Sequence, residues 1–153
     1  MTTNRFVAAA VVVGMFSVAA IAQQSDPLIG TWKLNVAKSK GVKSGSTTVE
    51  AAGQGIKMTV DLVTADGTVG QWGFTANYDG KDYPATGNSP YGNAVSLTRV
   101  DARTVRITSK QDGKVTTTST IVVSADGKTR TTTIKGTDVK GRPVDVVSFY
   151  EKQ

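Results

Sequence analysis

Four Asp-Gly pairs, at 66–67, 79–80, 112–113 and 126–127, punctuate this chain, each between runs rich in Val, Ile, Thr, Phe or Tyr. Asp and Gly both tolerate the positive φ of tight turns, so each pair marks a reversal between neighbouring antiparallel strands. Reading outward from these pairs and the other Gly- and Ser-rich breaks places ten strands, at 30–37, 47–52, 56–63, 68–78, 81–86, 94–100, 104–110, 114–123, 129–135 and 144–152. No stretch after Ala22 carries convincing helical periodicity, and no link is long enough for a crossover helix. The fold class that follows is all-β, a single antiparallel up-and-down meander. Ten amphipathic strands in succession close most simply into a barrel, because closure leaves no exposed edge.

Alternation within the strands predicts the interior. Trp32, Leu34 and Val36 share a face, as do Ile56, Met58, Val60 and Leu62, and then Trp72, Phe74, Ala76 and Tyr78. Val95 with Leu97, Val105 with Ile107, and Ile121 with Val123 complete the set. Segments 114–121 (KVTTTSTI) and 128–134 (KTRTTTI) differ, carrying Thr on both faces. Threonine suits a pleated strand, yet a buried hydroxyl needs a hydrogen bond. Two arrangements stay open: the rows face solvent, or one row lines a wet interior, since so many strands enclose more space than side chains easily fill.

The first 22 residues read as a signal peptide. Residues 1–5 carry one positive charge, 6–22 (FVAAAVVVGMFSVAAIA) are uncharged and apolar, and Ala20-Ile21-Ala22 offers a small-x-small cleavage site before Gln23. The expected division is a signal peptide at 1–22 and a β-barrel domain at 23–153, exported to the periplasm or beyond. The expected domain has 131 residues and a net charge of +5. With no Cys there is no lipobox, so no stable membrane anchor is expected once the signal is removed.

Composition removes most chemistry. The chain has no His and no Cys, which excludes a Ser-His-Asp triad, a thiolate nucleophile and an ordinary zinc site. Asp79 and Asp82 flank one turn, but EF-hand spacing is absent. Gly53-Gln54-Gly55 joins two strands rather than opening a helix, so it is no phosphate loop. Cations are scattered and aromatic residues sparse, which argues against nucleic acid. No catalytic set, metal site or cofactor is expected. Segment 87–93 (GNSPYGN) is the most loop-like stretch, with Tyr91 at a barrel rim or an exposed corner.

The two ends of the domain carry a further signal. Residues 28–34 read LIGTWKL and residues 146–152 read VVSFYEK. An opening G-x-W strand, a meander of this length and a terminal Tyr-Glu-Lys strand resemble the calycin superfamily. Within it the chain is similar to the lipocalin-like domains of exported bacterial proteins and, more distantly, to fatty-acid-binding proteins. The resemblance implies that Gly30 admits the chain in a tight bend and Trp32 plugs one end of the barrel. It implies a monomeric carrier of a small apolar or amphipathic molecule, with Met58, Trp72 and Phe74 as apolar contacts and Tyr150 and Arg130 fixing a polar end.

Two departures bear on that reading. The helix-turn-helix lid of fatty-acid-binding proteins is replaced by 38–46 (KSKGVKSGS), read as a loop. Of their Arg-x-Tyr clamp on the last strand, Tyr150 matches and Ser148 stands at the Arg position. By parity Arg99 falls on the Val95/Leu97 face and Arg130 on the Thr132/Ile134 face. An inward Arg beside Tyr150 holds an anion, whereas an outward one is a surface cation. An alternative function is a non-catalytic envelope or stress-associated domain that works through its outer surface. A third is an acid–base enzyme using Tyr150 or a buried Asp.

Overall fold

The marked turns do reverse the chain. A computed structural model describes residues 25–153, and the predicted signal peptide lies outside the described residues. The strands are β1 (Gly30–Leu34), β2 (Val42–Ala52), β3 (Gly55–Thr64), β4 (Val69–Asn77), β5 (Asp82–Asn88), β6 (Ala94–Asp101), β7 (Thr104–Gln111), β8 (Lys114–Val123), β9 (Thr129–Thr137) and β10 (Pro143–Lys152). Each pairs antiparallel with the next, and β1 also pairs with β10, which closes the barrel. Closure gives every strand two neighbours.

The turns achieve reversal in two ways. Only Asp112-Gly113 combines two positive φ values, 51° and 80°. At Asp66, Asp79 and Asp126 only the following glycine is positive, and the Asp carboxylate accepts the N–H two residues on, from Thr68, Lys81 and Lys128, at 3.0 Å each. In those three, Asp acts through its side chain rather than its backbone.

The first connection departs from expectation. β1 stops at Leu34, and Asn35 caps a single 3-10 turn, Val36–Lys38, so Val36 is exposed rather than inward. The expected loop 38–46 is half strand, since β2 begins at Val42 and pairs with β3 through a bulge near Lys43. Polar Ser and Gly on an outer wall obscured that extension.

Elsewhere the alternation predicts the core. Ile56, Met58, Val60 and Leu62 are buried together, with Phe74, Ala76, Val95, Leu97, Val105, Ile107, Ile121 and Val123. Trp72 and Tyr78 are half-buried. The Thr question has a split answer. On β8, Thr117 and Ser119 face inward and Thr118 outward, while on β9 Arg130 and Thr132 are inward. One barrel end is packed by apolar Leu28, Trp32, Val49, Ile56 and Val123, with buried Arg130 across from Val123 and buried Thr47 across from Trp32.

Candidate functional site

The Trp32 end forms a floor. Trp32 is fully buried, and its Nε1–H donates to the Leu28 carbonyl at 2.9 Å. Beside it Asp26 accepts from Tyr78 Oη at 2.6 Å and pairs with Arg99, whose Cζ lies 4.0 Å from the Tyr78 ring. Arg99 keeps the face of Val95 and Leu97, opposite Val105, and from near the end of β6 it reaches this seal rather than the cavity.

Arg130 stands over the floor. It lies directly across from Tyr150 in the β9–β10 register, and only 3% of its surface is exposed. Its Cζ is 4.4 Å from the Tyr150 ring centroid and 5.1 Å from that of Trp32, so two aromatic faces hold the charge. No carboxylate pairs with it among the described residues, and Nε and Nη1 lack hydrogen-bond partners. Burial pulls its pKa down to about 10, against the opposing influence of Tyr150. Even so, it is a cation at neutral pH.

Above Arg130 lies a cavity of about 60 Å³. Met58, Phe74 and Ile121 give it apolar walls, and Thr47, Ser119, Thr132 and Ser148 bring hydroxyls. Thr132 Oγ1, Thr117 Oγ1 and Tyr91 Oη are buried without partners, like the Arg130 nitrogens. Each such group costs about 1–3 kcal/mol relative to its hydrated form. Of these, Thr132 neighbours Arg130 on the same inward face of β9, and a buried cation beside an unmet hydroxyl suits an oxyanion.

Segment 88–93 closes the other end. Tyr91 is 4% exposed, and its ring meets Trp72 edge-on at 5.7 Å and 89°. The Tyr91 N–H donates to Ser89 Oγ at 3.1 Å, its carbonyl accepts from Thr116, and the Pro90 carbonyl accepts from Val139 N–H at 3.0 Å. Arg142 then ties the rim together, donating to Asp138 at 2.7 Å and to Asp66 at 2.6 Å. Burial pushes the Tyr91 phenol up to about 12.

The five residues read from sequence as ligand contacts, Met58, Trp72, Phe74, Arg130 and Tyr150, all line this cavity. Gly30, at φ +138°, and Trp32 sit at the plugged end. Arg130 is inward, not a surface cation. Tyr91 is the lining residue that parity could not find, because a connection delivers it. Its position between Pro90 and Gly92 was the sole signal. Asp79 and Asp82 are engaged separately, by Tyr83 at 2.7 Å and Lys110 at 2.8 Å. No protein-family model matches the chain, and no curated protein matches its sequence.

Proposed function

We propose that this protein is an exported, calycin-type carrier whose barrel holds a small amphipathic molecule with its oxyanion against Arg130. One observation carries the reading: a guanidinium buried in the barrel, with no counter-ion among the described residues and two unpartnered nitrogens, lines the same cavity as apolar walls. A buried charge is ordinarily paired, and a carboxylate is the group that fits this donor's geometry. Tyr150 supports the guanidinium from the adjacent strand, so the anion anchor sits one strand away from the Arg-x-Tyr position. The apolar run at 6–22 supports export.

Calorimetric titration with a panel of straight-chain and aromatic carboxylates, each beside its neutral primary amide, tests this. Acids are expected to bind and amides to bind about 10–100-fold more weakly, the worth of one charged hydrogen-bonded pair. Arg130→Gln is expected to erase that preference. Equal binding of acids and amides, or an Arg130→Gln protein that keeps the preference, overturns the proposal.

A further inference from the structure

The anchor is in place, but the room is not. A cavity of about 60 Å³ is far below the roughly 300–1,000 Å³ of ordinary small-molecule pockets. One side chain takes up part of the interior that a strand residue would leave open. Among the described residues lining the cavity, Tyr91 alone comes from a connection rather than a strand. Its ring stands edge-on against Trp72, while its hydroxyl is buried with nothing to bond. The ring therefore gains by being inside and the hydroxyl loses, by about 1–3 kcal/mol relative to water.

The main chain around Tyr91 is tied down independently of that ring. Its carbonyl accepts from Thr116, its N–H donates to Ser89, and the neighbouring Pro90 carbonyl accepts from Val139. Rotation of the side chain into water leaves these backbone bonds standing and satisfies the phenol. The volume released is one planar ring, bordered by Trp72 and continuous with the cavity over Arg130.

We propose that Tyr91 occupies the ligand's own berth: the barrel takes a compact organic anion bearing one planar ring, which displaces the Tyr91 ring from Trp72 and sets its oxyanion on Arg130. This rests on the anion-binding reading above and narrows it. A long flexible acyl chain has no matching space, because the berth is one phenol long.

The test pairs benzoate with heptanoate, which share carbon number and charge and differ in shape. Benzoate is expected to bind about tenfold more tightly, the scale of one aromatic contact. Tyr91→Ala, which vacates the berth, is expected to tighten benzoate several-fold. Tyr91→Phe keeps the ring and removes the unmet hydroxyl, so it is expected to weaken benzoate about fivefold while raising the melting temperature. A merely structural Tyr91 gives neither that opposition of sign nor a tighter Ala variant. Heptanoate binding as well as benzoate, with Arg130 dependence intact, overturns the ring berth and leaves the anion reading standing. Failure of both acids to bind wild type and Tyr91→Ala overturns both. Weaker benzoate in a folded Tyr91→Ala also overturns the berth. Should that variant not fold, Tyr91→Phe decides alone, and unchanged or tighter benzoate there overturns the proposal.

Discussion

At the scale of single residues, Arg130 works against the fold. A guanidinium removed from water without a counter-ion loses hydration that two aromatic faces return only in part. Arg130→Met fills a similar length with apolar atoms, and is expected to stabilise the protein by about 1–3 kcal/mol in chemical denaturation while abolishing the preference for acids. Marked destabilisation would instead make the guanidinium a structural strut for Trp32. Proton binding adds a second check. Since burial holds Arg130 near a pKa of about 10, carboxylate affinity is expected to stay level below pH 9 and to fall above pH 10, as the cation is lost. Arg130 was legible in the sequence as far as its strand face, because side-chain direction alternates with period two. Its lack of a carboxylate was not, since partners are set by which strands meet.

At the scale of elements, the turns and strand glycines do different jobs. Gly113 has φ +80° and nothing within 4 Å of a Cβ built there, so only backbone strain opposes substitution. Gly136, within β9, has φ +137°, and its Cβ would lie 2.1 Å from the Thr116 carbonyl oxygen. Gly113→Ala is expected to cost about 1–2 kcal/mol, whereas Gly136→Ala is expected to cost about 3 kcal/mol or more, measured by urea unfolding of each. Equal losses would mean that the strand backbone yields. The Asp-Gly pairs were readable because the preference is local. Which turn uses its Asp side chain and which its backbone depends on the strand ends it must join. The first connection was misplaced for a related reason: Ser44-Gly45-Ser46 carries no strand propensity, and pairing with β3 draws it into the wall.

At the scale of the whole molecule, acid is what undoes the carboxylate contacts of the turns and rim, among them the Arg142–Asp66 pair that joins segments far apart in sequence. Hydrogen bonds from Thr64 hold Asp66 well below its ordinary carboxylate value of 3.8, and those from Ser124 and Lys128 hold Asp126 down. Burial alone would raise Asp138, but N–H donors from Arg142 and Lys140 outweigh it and hold it down as well. A folded-state pKa below the unfolded one adds stability that is complete above the unfolded value and drains away as pH falls below it. With no His to titrate, the melting temperature is expected to be flat from pH 5 to 9 and to fall below pH 4 in scanning calorimetry. A loss of stability between pH 5 and 7 would show another group at work. By itself the sequence determined strand number, turn positions and which side chains share a face, because these rest on local φ preference and a two-residue period. Only the tertiary structure decided that one row of hydroxyls lies inside, that Arg130 sits on Trp32 with no counter-ion among the described residues, and that Tyr91 folds into the mouth. Those outcomes depend on cross-strand register and on a connection whose course the rim dictates, and neither is encoded in any one stretch of chain.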